Sequence, residues 1–230
     1  MNTIKSFARR GKEAFKRSLL GEKRRILIAG NETTNITCLK NKLSNSTEFV
    51  NLISDSLFSS SSCEDDVKLN SLALSEQLEI YSQNPNKFDS IIINCFEPSF
   101  EDQIDIITKR IQSKIISDML IYKYCGKIVD QHGSIILVGQ KSQFDGIGSS
   151  GYCLMAGGRF HLFQLMIEEA SKHSIQIFTA LLEDNNSSDE YCEECSKVLI
   201  NLIIGKKRPE PGSFIYLSSQ SNKSISIELL

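Results

Sequence analysis

The sequence predicts an α/β fold: a doubly wound parallel sheet with helices on both faces, in a single domain. Apolar runs of strand length occur at residues 26–30, 134–139 and 175–182, without the polar–apolar alternation of a half-exposed strand. Segments with apolar residues at helical spacing lie between such runs. This alternation along the chain is typical of a parallel sheet covered by helices, and 230 residues suffice for one such domain.

The elements follow in order from a first strand at residues 24–30, which ends in a turn at Gly30. A second strand at 49–54 is followed by Asp55, and a serine- and asparagine-rich surface connection lies around 56–71. The other predicted elements are helices at 37–43, 72–82, 104–124, 152–172 and 190–204, and strands at 89–95, 134–139, 175–182 and 214–219.

The charge is unevenly distributed along the chain. Residues 1–25 contain nine Lys or Arg and two Glu, which gives +7, whereas the whole chain is −2 and the remainder is therefore −9. Residues 1–23 form a separate extension with helical apolar spacing and basic residues around it. Residues 3–20 of this extension are expected to contact an anionic membrane surface or a partner, to act as an organelle presequence, or to dock on the domain itself.

The composition restricts the compartment and the partners. Seven cysteines, an odd and scattered set, indicate a reducing compartment, so a cytoplasmic location is expected. The alternative is organelle targeting or membrane association through the basic helix. The acidic body argues against nucleic-acid binding. The pair Cys192 and Cys195 lacks a second pair and the three histidines form no spaced set, so no metal site is predicted.

Three stretches carry a resemblance to a known family: ILIAGNETTN (26–35), the run from Gly133 to His161, and IIGKKRPEPGSFIYL (203–217). They resemble the short-chain dehydrogenase/reductase family, and within it the dihydropteridine reductases. The resemblance implies a Rossmann-type fold, NADH as hydride donor and a quinonoid dihydropterin as substrate. It also implies a homodimer built on the helices at 104–124 and 152–172.

By this resemblance, the turn after the first strand is the nucleotide loop, with Gly30, Asn31 and Thr34 as its binding residues. Glycines in such a loop let a pyrophosphate approach backbone N–H groups at a helix N-terminus. The loop departs from the family pattern because Ile36 stands where the family has its last glycine.

Asp55 matches the family's acidic residue for the adenosine ribose, which favours NADH over NADPH because a 2′-phosphate would meet a carboxylate. The run 94–100 lacks the glycines that usually clear space for the adenine ring. Ser142, in the loop after the strand at 134–139, is the candidate for hydrogen bonding to a substrate.

The resemblance places the catalytic tyrosine at the start of the helix 152–172, with a lysine four residues later. From Tyr152 that position is Ala156, and in the gapless register the tyrosine falls on Cys153 and the lysine on Gly157. The first cation of the helix is Arg159. We therefore expect the proton relay to be lost.

Three functions remain open from the sequence, and whether the chain is an enzyme stays undecided between the first two. The first is a reductase-fold protein with degenerate or lost catalysis that works by binding a nucleotide or a partner protein. The second is an active NAD(P)H-dependent reductase of quinonoid dihydropterin or a similar small substrate. A peripheral membrane role led by residues 3–20 is a third possibility.

Overall fold

The computed structural model describes residues 23–30, 34–43, 47–51, 64–95, 104–144, 150–183, 188–204, 212–218 and 226–229. It confirms the predicted α/β class. The described strands form one sheet in the order β2-β1-β3-β4-β5-β6-β7, in which β1 to β6 are parallel and β7 is antiparallel to β6. The strands are β1 Arg24–Ala29, β2 Thr47–Asn51, β3 Phe88–Asn94, β4 Val129–Gln140, β5 Gln176–Leu182, β6 Phe214–Ser218 and β7 Ser226–Leu229. The helices are α1 Thr34–Leu43, α2 Glu64–Gln83, α3 Ile104–Ile128, α4 Lys141–Phe144, α5 Ser150–Lys172 and α6 Asp189–Ile204.

The two faces of the sheet carry different helices. Helices α1 and α6 contribute buried side chains to one core, and helices α2, α3 and α5 contribute to the other. Consecutive residues of β3 alternate between these cores, with Ile91 and Ile93 in one and Ile92 in the other. Burial on both sides explains why the central strands are apolar at every position.

Helix α2 begins at Glu64, although the sequence predicted a helix only over 72–82 and a surface connection around 56–71. The residues that anchor it, Leu74 and Leu78, are completely buried and lie one turn apart. Serine and asparagine residues dilute the helical signal before them, so the start of the helix at Glu64 was not recognisable from the sequence.

Strand β4 begins at Val129, five residues before the prediction. Its pairing with β3 is irregular between Phe88 and Ser90, and His132 adopts a positive φ of 73° in this stretch. A Cβ on Gly133 would lie 2.3 Å from a Val129 methyl carbon. This bulge interrupts the apolar pattern, so only the regular part of the strand was recognisable.

Other boundaries differ less. The predicted second strand at 49–54 is observed as Thr47–Asn51, while the predicted helices at 104–124 and 152–172 are confirmed as α3 and α5. Strand β7 was not predicted. The basic segment 1–22 and the connection 52–63 lie outside the described residues, and none of the described helices is long and apolar enough to cross a membrane.

The sheet order places a crevice between β1 and β3. From β1 the chain forms β2 on one side of that strand and β3 on the other. In open α/β sheets, ligands bind outside the carboxyl ends of the strands at this switch point. The candidate site therefore lies where β1 meets Gly30 and β3 meets Asn94.

Candidate functional site

The turn after β1 requires glycine. Gly30 has a φ of +107°, and a Cβ built on it would lie 2.3 Å from the Asn94 carbonyl oxygen. A side chain is excluded both by the backbone angle and by this close approach. The first predicted nucleotide-loop residue thus lies directly against the end of β3, on the floor of the crevice.

Helix α1 starts four residues after Gly30, at Thr34, the second predicted binding residue whose position is described. The free N–H groups and the positive end of the dipole at a helix N-terminus favour an anion such as a phosphate. Asn31 and Asp55 lie outside the described residues. Their roles remain predictions.

Ile36 does not fit a dinucleotide loop. Its side chain is completely buried in the core shared with Ile26, Ile28 and Leu39. A dinucleotide fingerprint places a glycine here to permit close helix–strand packing, whereas an isoleucine fills that space. The turn at Gly30 and the start of α1 fit a phosphate group, but the helix packing departs from the dinucleotide pattern.

Asn94 forms the opposite wall of the crevice, a role that the sequence analysis did not assign to it. It is completely buried at the end of β3, and the next residue, Cys95, donates its backbone N–H to the Val138 carbonyl over 2.7 Å. The only signal in the sequence was a polar residue closing an apolar strand. The run 94–100, which lacks the glycines that usually clear space for an adenine ring, therefore begins with two buried side chains, Asn94 and Cys95.

The carboxyl end of β4 leads directly into α4, which carries Lys141 and the predicted substrate residue Ser142. The Lys141 Nζ lies 4.5 Å from the centroid of the Tyr216 ring, a cation–π contact with strand β6. Ser142 is half-buried beside it. Tyr216 was not predicted as a partner, because it is 75 residues further along the chain than Lys141.

Tyr152 and Cys153 both lie in the first turn of α5, which begins at Ser150. Adjacent helical positions differ by about 100° around the axis, so residues 152 and 153 lie on different sides of the helix. The two registers of the relay therefore cannot both face the same site. Only a Tyr152 located before the first turn of the helix could be free of this 100° offset, and Tyr152 lies inside the helix. Ala156 and Gly157, the two candidate lysine positions, also lie within the same helix.

Arg159, the first cation of α5, is held by a carboxylate of the neighbouring helix α3. Its Nε lies 2.5 Å from Asp118 Oδ2 and its Nη2 lies 3.1 Å from Asp118 Oδ1. Both residues are buried, with exposed fractions of 6 % for Arg159 and 5 % for Asp118. The guanidinium is therefore directed to the carboxylate of α3.

The other cation of α5, Lys172, lies at the far end of the helix. Its Nζ is 2.8 Å from Glu169 Oε2, and this contact raises the pKa of Lys172 and lowers that of Glu169. Both cations of the helix are thus paired with carboxylates. The helix offers no lysine or arginine at the relay position.

The cysteine pair of α6 is part of the core. Cys192 and Cys195 are completely buried, and burial is the main cause that raises the pKa of Cys195 to about 12. Thiols of this kind stay protonated at neutral pH, whereas metal ligation needs the thiolate. Within the described residues, no group of three His, Cys, Asp or Glu side chains is placed to hold a metal ion.

Comparison with known proteins identifies the fold. No protein-family model matches the chain, and no curated protein sequence matches it. Solved structures do match. A short-chain dehydrogenase from Mycobacterium avium superposes with a TM-score of 0.64 at 10 % identity, over 90 % of this chain and 84 % of that chain.

Two further structures are similar. A short-chain dehydrogenase/reductase family oxidoreductase from Brucella ovis, in complex with a partially ordered NAD, gives a TM-score of 0.60 at 13 % identity over 86 % of this chain and 100 % of that chain. The landomycin C-6 ketoreductase LanV, with bound NADP and rabelomycin, gives a TM-score of 0.59 at 11 % identity over 84 % of this chain and 94 % of that chain. The chain therefore has the fold of the short-chain dehydrogenases/reductases.

Proposed function

We propose that this chain is a short-chain dehydrogenase/reductase-fold protein that binds a nucleotide at the crevice between β1 and β3 and has lost reductase catalysis. The observation that carries the proposal is the pairing of Arg159 with Asp118. It removes the nearest cation from a helix whose lysine positions hold alanine and glycine.

The relay in this fold needs a tyrosine hydroxyl that gives a proton to the substrate and a lysine that lowers the pKa of that hydroxyl. A nicotinamide dinucleotide, when bound, supplies the hydride. Tyr152 retains a hydroxyl, but neither Ala156 nor Gly157 can stabilise its anion. Without such stabilisation the hydroxyl remains a poor acid at neutral pH, and turnover is expected to be lost.

Binding, by contrast, has support. Gly30 permits the tight turn, and the N-terminus of α1 provides N–H groups for a phosphate. Asp55 favours NADH over NADPH as the ligand. The buried Ile36 departs from the dinucleotide pattern. We therefore test ADP, a smaller nucleotide, together with NADH and NADPH.

Two experiments test the two parts of this proposal. Calorimetric titration with NADH, NADPH and ADP tests nucleotide binding, and assays of NADH oxidation with quinonoid dihydropterin test the loss of catalysis. Binding of NADH or ADP at micromolar concentration, with no turnover above the uncatalysed rate, supports the proposal. Turnover refutes the loss of catalysis. Absence of binding up to millimolar ligand refutes the nucleotide site and leaves a protein partner as the ligand.

The two registers of the lost relay can be separated by restoring each one. Ala156→Lys completes the pair with Tyr152, whereas Cys153→Tyr with Gly157→Lys completes the gapless pair. A Cβ on Gly157 would meet no atom within 4 Å, so its backbone position accepts a side chain. If the chain binds NADH, turnover that appears in one variant only identifies the register in which catalysis was lost.

We also propose that the chain forms a homodimer through α3 and α5. Met119 on α3 and Leu165 on α5 are exposed to 53 % and 56 %, and large exposed apolar side chains favour association. Light scattering should give a dimer for the parent chain and a monomer for Met119→Glu with Leu165→Glu. Leu72→Glu, at an exposed leucine of α2, is the matched control and should stay dimeric.

The alternative is an active NAD(P)H-dependent reductase, and Lys141 is the observation that favours it. Its ammonium lies at the carboxyl edge of the sheet over the Tyr216 ring, next to Ser142. An active enzyme would lose most of its turnover in Lys141→Met, while an inactive one would show none in either form.

A further inference from the structure

Helices α1 and α6 lie next to each other on one face of the sheet, and they carry three of the described cysteines. Ile36 of α1 and Leu199 of α6 belong to the same core. Cys38 of α1 is half-buried, whereas Cys192 and Cys195 of α6 are completely buried. None of the three thiols belongs to the proposed nucleotide site, so their position calls for a separate explanation.

An ion pair shows which sides of the two helices meet. Lys42 lies one turn after Cys38 in α1, and Glu193 directly follows Cys192 in α6. The Lys42 Nζ lies 3.1 Å from Glu193 Oε1 and also donates a hydrogen bond to the Glu193 carbonyl oxygen over 3.1 Å. Residues four apart share one side of a helix, and long side chains lean back toward the preceding turn. The side of α1 that carries Cys38 is therefore placed against residues 192 and 193 of α6.

The thiols of Cys38 and Cys192 are neighbours across this contact. Burial is the main cause that raises the pKa of Cys192, and the Cys38 thiol raises it further by its charge and by hydrogen bonding, together with the charge of Asp189. Cys195 is placed differently, because it belongs to the core and its thiol contacts the Tyr191 hydroxyl. That hydroxyl donates a hydrogen bond to the main chain of β6 over 2.8 Å. Cys195 is thus directed to the sheet, and Cys192 to α1.

The packing of two helices brings facing residues within reach of a disulfide. Packed helix axes lie about 8–10 Å apart and each Cα lies about 2.3 Å from its axis, so facing Cα atoms approach to about 5 Å. A disulfide joins Cα atoms about 4.4–6.8 Å apart. Of the two cysteines, only Cys38 is open to a small oxidant, since Cys192 is completely buried. Oxidation should therefore begin at Cys38.

We propose that peroxide oxidises Cys38 and that the product forms a reversible disulfide with Cys192, which joins α1 to α6. The Cys38 thiolate attacks one oxygen of hydrogen peroxide, which gives a sulfenic acid and hydroxide. The Cys192 sulfur then attacks the sulfenic sulfur, and the S–O bond breaks as the S–S bond forms. Overall the two thiols lose two electrons and two protons, and the peroxide becomes two molecules of water.

The disulfide gives the fold a response to oxidants. In a reducing compartment such a bond is transient and serves as a redox sensor. Cys38 and Cys192 are 154 residues apart, so the bond constrains the unfolded chain and should stabilise the fold. Cys38 also lies one turn after Thr34, so the bond restrains the helix whose N-terminus forms the proposed phosphate site. Its formation requires no bound nucleotide.

The test oxidises the full-length chain with hydrogen peroxide, blocks the remaining thiols with iodoacetamide and digests the chain with trypsin without reduction. Cys38 then lies in the peptide 26–40, and Cys192 and Cys195 both lie in the peptide 173–197. Mass spectrometry should find these two peptides joined, and dithiothreitol should separate them. Fragmentation of the joined peptides from the parent chain should assign the bond to Cys192.

Two variants give a matched comparison, because both residues are completely buried in the same helix. Cys192→Ala should abolish the joined peptides, whereas Cys195→Ala should retain them, with circular dichroism showing that both variants are folded. The oxidised parent chain should also unfold at a higher urea concentration than the reduced chain, and dithiothreitol should reverse this shift.

Three results would overturn the disulfide. The first is a Cys38 that stays unmodified, or that is oxidised to sulfinic acid, with no joined peptides. The second is a bond from Cys38 to Cys195 instead of Cys192. The third is an oxidised chain that unfolds at a lower urea concentration than the reduced chain, which would show that the bond forces α1 and α6 out of their packing.

Discussion

The guanidinium of Arg159 and the carboxylate of Asp118 form a bidentate ion pair between α5 and α3, with contacts of 2.5 and 3.1 Å. The pair is almost inaccessible to solvent. It joins the two helices, and it also fixes Arg159, the first cation in the sequence of α5. One buried contact therefore has a structural and a functional consequence.

Removing one partner of this pair should be costly. Asp118→Asn leaves the Arg159 charge buried without its carboxylate, and we expect a loss of about 3–5 kcal/mol in the free energy of unfolding. Urea denaturation followed by circular dichroism measures it. The double variant Arg159→Met with Asp118→Leu is the control and should recover most of the loss, because no charge is left buried. A single variant as stable as the parent would contradict the buried pair.

The turn at Gly30 should not accept alanine. Gly30→Ala brings a Cβ to 2.3 Å from the Asn94 carbonyl oxygen at a φ of +107°, and we expect a loss of about 2 kcal/mol or more. Gly212→Ala is the matched control, because Gly212 also has a positive φ but its Cβ would meet only an Ile167 methyl carbon at 3.2 Å. The midpoint of urea denaturation should fall further for Gly30→Ala. Equal losses would mean that the contact with Asn94 does not matter.

Two adjacent glycines of α5 should respond differently to alanine. Gly157 is exposed and its added Cβ would meet nothing, so Gly157→Ala should stabilise the helix by about 0.5–1 kcal/mol. At Gly158 the Cβ would lie 3.2 Å from Ile115 Cδ1 of α3, so part of the same gain is lost to crowding. Thermal denaturation compares the two. A larger gain at Gly158 would show that α3 and α5 are not this close.

Stability should fall with pH above about 9 because of buried thiols. Burial raises the pKa of Cys125 from an ordinary value of 9.0 to about 11. The unfolded chain releases this proton at lower pH than the folded chain does. The contribution of the Cys125 thiol to the free energy of unfolding is therefore complete below pH 9 and is lost as pH rises to about 11. Urea denaturation between pH 8 and 11 measures the decline. Cys125→Ala should make it shallower by up to about 1.4 kcal/mol per pH unit, and an unchanged slope would contradict the shifted pKa.

Much of the architecture could be predicted from local patterns. Strands β3 to β5 and helices α3 and α5 were recognised because burial on both faces makes the strands apolar throughout and packing on one face gives the helices their spacing. Gly30 was recognised by its place after the first strand. The physical reason is common to all of them, since each signal lies within a few consecutive residues.

The sequence by itself determined the fold class, the order of its elements and the absence of a lysine from the start of α5. Only the tertiary structure decided that α2 begins at Glu64, that Asn94 closes the turn at Gly30, and that Arg159 belongs to Asp118. Arg159 and Asp118 are 41 residues apart, and Gly30 and Asn94 are 64 apart. Contacts at such separations depend on how helices and strands pack, which no local periodicity encodes.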